Sequence, residues 1–302
     1  MQFGTNRIDL VDVARVGLAA SVAFDPAAFR PNAAMPFTSS SKARLYYLTA
    51  GSELGYLTAD GHSAIFRSIP VGPNEEAGFA VSPDDQRVAV SILSYSSADA
   101  GATYTGMRLY LEDLADGGHH VDIFTSSTLA EFPIAWVGGK LVVAVSGPFC
   151  CAAPLANPYG ADSYHVVDPA AGQRIRTICS ASALPQGPVE PVGVLCGLHT
   201  FVHWDGTPFT APAVVPDPGV NRVALSPDGT AVLYGGSPIQ VIRGTNEFAL
   251  NESGVAFGWV DSVHVVVATS DNAYWMVEAR TGAGAQMAGE IAYLGAFPSA
   301  IS

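Results

Sequence analysis

The feature that most constrains the fold of this 302-residue chain is a recurring pair of apolar strands joined by a Ser-Pro-Asp turn. One copy turns at Ser82-Pro83-Asp84-Asp85, and the other turns at Ser226-Pro227-Asp228-Gly229. Proline presets φ at the second position, aspartate can accept hydrogen bonds from the backbone amides that follow, and glycine allows a positive φ at the exit. The pattern predicts a tight antiparallel hairpin at both places.

Two degenerate copies carry tryptophan in place of the turn motif, at Trp136 and Trp259. Each hairpin is followed by two more apolar segments separated by turns, and four strands per repeat is the content of a propeller blade. The long interval between Trp136 and Ser226 fits two blades, the second opening at 192–195. We therefore expect an all-β fold, a single β-propeller of about six four-stranded blades, with seven as the alternative.

The propeller is expected to form one domain over residues 1–302, with 1–35 as an irregular N-terminal segment packed on it. The first blade takes three strands from residues 44–68. Its innermost strand comes either from the N-terminal segment or from residues 291–297, and the second choice would close the ring with strands from both chain ends.

The Ser-Pro-Asp-Gly turns, together with the tryptophan copies, resemble the WD40-like repeats of TolB-type β-propellers over most of residues 40–290. That resemblance implies a propeller and, by analogy, a protein-interaction platform of the cell envelope. Such turns also recur in peptidase propeller domains and in some lyases, so the resemblance implies a fold and not a reaction.

Charge and hydropathy exclude some partners. The formal net charge of −13 would repel a phosphate backbone, which argues against nucleic acid. No apolar run approaches the roughly 20 residues needed to span a bilayer. Residues 16–24 resemble the apolar core of a signal peptide, but Asp9 and Asp12 precede them, so we interpret the stretch as folded structure and see no signal peptide in this sequence.

All four cysteines fall in one window, at Cys150, Cys151, Cys179 and Cys196. An even count in so short a stretch favours disulfides and an extracytoplasmic location, secreted or in the cell envelope. Buried free thiols are the alternative. We expect Cys179 to pair with Cys150 or Cys151, because bonding between neighbouring cysteines strains the peptide between them.

The connections of the predicted blades fall into two classes. First-to-second and third-to-fourth connections are short, whereas the others, at 95–106, 125–132, 147–163 and 180–190, are long and share the opposite face. Binding residues tend to collect in loops longer than a chain reversal needs. We predict a ligand-binding face there, carrying aromatic rings beside acids: Tyr95, Asp99, Tyr104, Phe149, Tyr159 and Asp162. The alternative is that these rings only pack the loops onto the sheets.

Chemical motifs are sparse. Nucleophile-elbow, phosphate-loop and zinc-peptidase patterns are absent, and His119-His120 is expected to be a solvated turn pair. Glu131, Asn221 and Glu252 stand just ahead of predicted innermost strands, where ligands of a metal at the channel mouth would lie. The leading interpretation is a non-enzymatic binding or scaffold protein that recognises a protein or peptide and needs no cofactor. The alternative is a metal-dependent hydrolase or lyase with a divalent cation in the central channel, and the oligomeric state is not predicted.

Overall fold

The computed structural model describes most of the chain: residues 7–23, 38–49, 51–97, 103–146, 161–179, 192–196, 200–209, 223–234, 238–250, 254–269 and 273–287. The chain divides into two compact units. Unit 1 comprises Met1–Ala23, Ala59–Gly61 and Leu184–Ser302, and unit 2 comprises Phe24–Thr58 and His62–Ala183.

Unit 2 contains three antiparallel sheets of four strands, each in simple meander order. Blade 1 consists of β3–β6: Thr38–Ser40, Arg44–Leu48, Glu53–Thr58 and Ser63–Ser68. Blade 2 consists of β7–β10: Glu75–Val81, Arg87–Tyr95, Tyr104–Asp113 and Val121–Ser126. Blade 3 consists of β11–β14: Ala130–Val137, Lys140–Ser146, Ser163–Asp168 and Gln173–Ile178.

Unit 1 contains a hairpin and three sheets. The hairpin pairs β1 (Arg7–Asp12) with β2 (Gly17–Ala23). A three-stranded sheet has β15–β17: Gly193–Cys196, Thr200–His203 and Pro208–Phe209. The Ser226 blade has β18–β21: Val223–Leu225, Ala231–Tyr234, Gln240–Arg243 and Asn246–Ala249. The Trp259 blade has β22–β25: Gly254–Trp259, His264–Thr269, Tyr274–Glu278 and Gly284–Gln286.

Within each unit the first strands of successive sheets lie side by side. β7 contacts both β3 and β11 in unit 2, and β18 contacts both β15 and β22 in unit 1. The second strands are buried over most of their length, as in β8 and β12, because sheets stack on both of their faces. Stacked four-stranded meanders with adjacent first strands are the arrangement of propeller blades. The fold is all-β, a β-propeller of four-stranded blades.

The predicted count of six or seven blades needs correction, because the described residues contain five four-stranded sheets. The position predicted for a fourth blade is taken by the three-stranded sheet, whose strands are only four, four and two residues long. Strands this short bury little apolar surface, which is why the repeat pattern was weak there.

The innermost strand of blade 1 is β3 (Thr38–Ser40), which lies just after the segment 1–35 that was one of the two predicted sources. Residues 291–297, the other route, lie outside the described residues. The segment 1–35 is not irregular throughout, since it contains the β1–β2 hairpin. Apolar side chains of this hairpin (Val11, Val13 and Val16) pack against Val260, Val266, Met276 and Met287 at the Trp259 blade. The stretch that resembled a signal peptide forms β2.

The serine of each Ser-Pro-Asp turn organises the hairpin. Ser226 is fully buried; its Oγ donates to Asp228 Oδ1 at 2.6 Å and accepts from the amide of Ala231 at 2.8 Å. Ser82 makes the equivalent bonds to Asp84 and to the amide of Arg87. One hydroxyl therefore satisfies groups on both sides of the reversal, as the turn motif predicts. No helix in the described part of the chain is long and apolar enough to cross a membrane.

Candidate functional site

In blade 2 the β8–β9 and β10–β11 connections lie at the same end of the sheet, because the strands follow a meander order. The first covers residues 96–103, but the second covers only 127–129, which is shorter than the loop predicted at 125–132. We call this end the long-loop end of blade 2. The opposite end carries the Ser82 turn and the β9–β10 turn.

Tyr95 and Tyr104, two of the predicted ligand-binding residues, lie together at the long-loop end. Their rings meet edge to face, with centroids 6.4 Å apart. The Tyr104 hydroxyl donates to the carbonyl oxygen of Leu129 at 2.7 Å and lies 3.3 Å from that of Ser126. Burial, and secondarily the charge of Glu131, raises the pKa of Tyr104. The Tyr104 hydroxyl therefore holds the β10–β11 connection, which is the packing role that the sequence left open for these rings.

Beside this pair lies an open cavity of about 720 Å³, which we call the hydroxyl cavity. It is lined by side chains that end in hydroxyls, with Gly106, Met107 and Arg108 between them: Ser94, Thr105, Thr125, Ser126, Ser127 and Thr128. Four of these, Thr105, Thr125, Ser127 and Thr128, are exposed. Hydroxyls both donate and accept, so this surface can satisfy either end of a peptide group.

Arg108 fixes the wall of the hydroxyl cavity through a two-point ion pair. Its Nη1 lies 2.7 Å from Glu75 Oε1, and its Nη2 lies 3.1 Å from Glu75 Oε2. The hydrogen bond from Arg108 lowers the pKa of Glu75 to about 2, against the opposing effect of burial. Ser94 also donates to this carboxylate. The pair clamps β7 to β9 beneath the cavity.

The remaining predicted ligand-binding residues are in other places. Asp162 is exposed just ahead of β13 in blade 3, where its amide donates to the carbonyl oxygen of Val145. Asp99, Phe149 and Tyr159 lie outside the described residues. Of the predicted set, the structure thus brings Tyr95 and Tyr104 into contact.

Glu131, a predicted metal ligand, lies inside β11 rather than ahead of it, and its side chain is only 1% exposed. One oxygen, Oε1, lies 2.9 Å from His165 Nδ1 and 2.5 Å from Arg174 Nη2. A buried carboxylate already bonded to a guanidinium is a poor metal ligand, because that bond would have to break first. Asn221 and Glu252 lie outside the described residues. Within the described part of the chain, no three His, Cys, Asp or Glu side chains form a group that could hold a metal ion.

Cys179 and Cys196 are both disulfide-bonded, and no described cysteine is free. Disulfide formation agrees with the sequence prediction, which had singled out Cys179 but not Cys196. Cys150 and Cys151 lie outside the described residues, so the expected partner of Cys179 stays a prediction.

The hydroxyl cavity was not predicted from the sequence. Its signal was the run Thr125-Ser126-Ser127-Thr128, which spans the end of β10 and the start of the connection to β11 and contains neither glycine nor proline. Ser126 Oγ accepts from the amides of Thr128 and Leu129, so the run forms a hydroxyl-stabilised turn. A serine–threonine run that replaces the usual turn residues could have indicated a polar surface here.

Comparison with known proteins gives structural likenesses only. No protein-family model matches the chain, and no curated protein sequence matches it. Among solved structures, a chain of the mitotic checkpoint complex is 12% identical with a TM-score of 0.49, over 88% of this chain and 82% of that one. The C-terminal WD40 domain of Sif2 is 12% identical with a TM-score of 0.47, over 82% and 70%.

A third similar structure is an oligogalacturonate lyase in complex with manganese, 13% identical with a TM-score of 0.39 over 83% of this chain. The present chain spans 64% of the length of that lyase. These three similar structures include a WD40 domain and an enzyme, so they support no conclusion about the activity of this chain.

Proposed function

We propose that this protein is a binding propeller of the WD40-like, TolB-like kind that recognises an extended protein segment at the long-loop end of blade 2. The observation that carries the proposal is the hydroxyl cavity beside Tyr95 and Tyr104. It is open, it is lined with exposed hydroxyls, and a rigid ion pair supports it.

The cavity suits a peptide for two reasons. Its exposed hydroxyls can pair with the amide and carbonyl groups of an extended backbone. In addition, β10 is the outermost strand of blade 2, so one of its edges is not paired within that sheet. Extended segments bind sheet edges through main-chain hydrogen bonds and gain specificity from neighbouring side-chain pockets.

The aromatic pair would supply apolar contact. Tyr95 and Tyr104 are half-buried and already held edge to face, so little side-chain entropy is lost when a ligand packs against them. The proposed face also includes Asp162, together with Asp99, Phe149 and Tyr159, which lie outside the described residues. An extracytoplasmic location fits this proposal, because disulfides persist in oxidising compartments.

The test is selection of random peptides displayed on phage against the purified protein, followed by affinity measurement with two matched variants. Ser127→Trp fills the hydroxyl cavity. Ser63→Trp places the same ring at an exposed serine beside the β5–β6 turn of blade 1, away from that cavity. We expect Ser127→Trp to weaken the selected peptides roughly tenfold or more, and Ser63→Trp to leave them unchanged. Failure to enrich any peptide, or equal binding by both variants, would contradict the proposal.

The alternative, a metal-dependent hydrolase or lyase, now depends on Asn221 and Glu252, because Glu131 is engaged by Arg174. Metal analysis of the purified protein separates the two functions. A stoichiometric, tightly held divalent ion would favour the enzyme.

A further inference from the structure

A second cavity, of about 690 Å³, lies in unit 2 between the outer strand of blade 1 and the outer strands of blade 2. We call it the inter-blade cavity. Its wall includes Arg67, Pro70, Tyr110, Glu112, His120 and Asp122. It shares only Arg108 with the hydroxyl cavity, and it takes no part in the function proposed above.

The floor of the inter-blade cavity is a nearly buried ion pair. Arg67 Nη2 bonds Glu112 Oε1, and the two side chains are 12% and 9% exposed. Arg67 Nη1 also donates to the carbonyl oxygens of Asp113 and Leu114, at 3.0 and 3.3 Å. Arg67 is therefore fully occupied in joining blade 1 to blade 2. The floor is electrically neutral as a unit.

Tyr110 brings a hydroxyl to this cavity. The residue is 5% exposed overall and lines the cavity, and no hydrogen bond of its hydroxyl is seen to the described residues. Burial, followed by the charge of Glu112, raises the pKa of Tyr110 to about 12, so the group is a neutral phenol. A neutral phenol hydroxyl both donates and accepts, so one that lines a cavity without a protein partner can pair with a bound molecule.

Glu112 offers a second open position. Its Oε2 lies 3.7 Å from His120 Nδ1, which is too long for a hydrogen bond. His120 is instead bonded to Asp122 through Nε2 at 3.0 Å, and its ring stacks on Tyr110 with centroids 4.7 Å apart. His120 is exposed, as the sequence predicted, and it also packs on the Tyr110 ring. It covers one side of Tyr110 and turns its other face outward, half-exposed.

The charges around the cavity restrict what could bind. Glu112, Asp116 and Asp122 would repel an anion. Arg67 and Arg108 cannot offset that repulsion, because their guanidinium groups are already held by Glu112 and Glu75. A neutral molecule that both donates to a carboxylate and pairs with a phenol avoids this penalty. The cavity also has apolar surface, from Pro70, Ala115 and the His120 ring.

We propose that the inter-blade cavity binds a neutral sugar ring. Hydroxyls of the sugar donate to Glu112 Oε2 and pair with the Tyr110 hydroxyl, and its C–H face packs on the His120 ring and Pro70. The volume is within the range of small-ligand sites and accommodates one or two pyranose rings.

Saturation-transfer NMR with the intact protein tests the proposal. The probes are glucose, galactose, mannose and N-acetylglucosamine as neutral sugars, with glucuronate as the anion and glucosamine as the cation. We expect saturation transfer to at least one neutral sugar, and weaker binding of glucuronate than of the neutral sugars and glucosamine. Tyr110→Phe, which removes only the unpartnered hydroxyl, should weaken that sugar roughly fivefold without lowering the melting temperature.

Tyr46→Phe is the matched control. Tyr46 is a buried tyrosine of blade 1 whose hydroxyl donates to Asp85 Oδ1 at 3.0 Å, and it does not line the cavity. This variant should lower the melting temperature and leave sugar binding unchanged. Asp122→Asn provides a second test at the exposed rim and should reduce the discrimination against glucuronate. The proposal is overturned if no neutral sugar binds, if Tyr110→Phe binds as well as the parent protein, or if glucuronate binds as tightly as the neutral sugars.

Discussion

The indole Nε1 of Trp136 donates a 3.1 Å hydrogen bond to the carbonyl oxygen of Ala80, two residues before Ser82. Trp259 makes the same bond to Ala224, two residues before Ser226, at 3.0 Å. Each tryptophan copy of the repeat therefore binds the strand that leads into a Ser-Pro-Asp turn, and the tryptophan copies are not only degenerate forms of that motif. In each unit, a tryptophan in one blade ties down the first strand of the preceding blade.

This relationship predicts that Trp259→Phe destabilises the protein by about 2 kcal/mol, through loss of the hydrogen bond and of part of a buried ring. Trp259 is 3% exposed. Trp275 is the matched control, because it is partly buried against the same core cluster and its indole N–H makes no hydrogen bond to a described residue. Urea unfolding should show a smaller loss for Trp275→Phe. Equal losses would mean that the indole bond to Ala224 contributes nothing beyond packing.

We expect the buried turn serine Ser226 to contribute about as much to the free energy of unfolding as the Trp259 side chain. Ser226→Ala removes the acceptor of the buried Ala231 amide, and an unsatisfied buried amide costs about 1–3 kcal/mol. Ser127→Ala, at an exposed serine, should change the free energy of unfolding by less than about 0.5 kcal/mol. Thermal or urea unfolding of the two variants measures the difference. A Ser226→Ala protein as stable as the Ser127→Ala protein would show that the turn forms without its hydroxyl.

Asp85 occupies the turn position that Gly229 occupies in the other copy, and its φ is +59°. An aspartate in this left-handed region is strained, but its carboxylate accepts the hydrogen bond of the Tyr46 hydroxyl. Asp85→Ala and Asp85→Gly both lose that bond, whereas only the alanine keeps the strain. We expect the alanine variant to be less stable than the glycine variant by about 1 kcal/mol in urea unfolding. Equal stability of the two would show that the backbone relaxes at this turn.

The sequence predicted most of the strands, because the local signal was strong wherever it was repeated. The three strands expected within residues 44–68 are β4, β5 and β6, and the Ser-Pro-Asp hairpins form where the motif stands. The cavities could not be predicted, because their walls join distant residues. Arg67 meets Glu112 only through the packing of blade 1 on blade 2, and no local pattern encodes that contact. For Glu131 a local pattern was misleading. Its place near a strand start suggested a metal ligand, whereas its side-chain partners, His165 and Arg174, come from two later strands.

The Arg108–Glu75 ion pair makes the free energy of unfolding depend on pH. The pKa of Glu75 is lowered in the folded protein to about 2 from an ordinary value of 4.5. Because the folded pKa is depressed, the pair stabilises the fold fully above about pH 4.5, and this contribution is lost as the pH falls towards 2. Glu75→Gln should therefore be less stable than the parent at pH 6, and the gap between them should shrink by pH 2.5. Urea midpoints at the two pH values measure it, and a gap that does not change with pH would contradict the assignment.

The disulfide at Cys179 is predicted to join it to Cys150 or Cys151, and so to close a loop of nearly thirty residues. Cross-linking a loop of this length stabilises a protein by about 3 kcal/mol through the entropy of the unfolded chain. Cys179→Ser should lower the free energy of unfolding by a similar amount, and reducing agent should lower the stability of the parent protein at least as far. Mass spectrometry of unreduced proteolytic fragments identifies the partner. A fragment in which Cys179 is linked to Cys196 would contradict the predicted pairing while leaving both residues disulfide-bonded, as the structure has them.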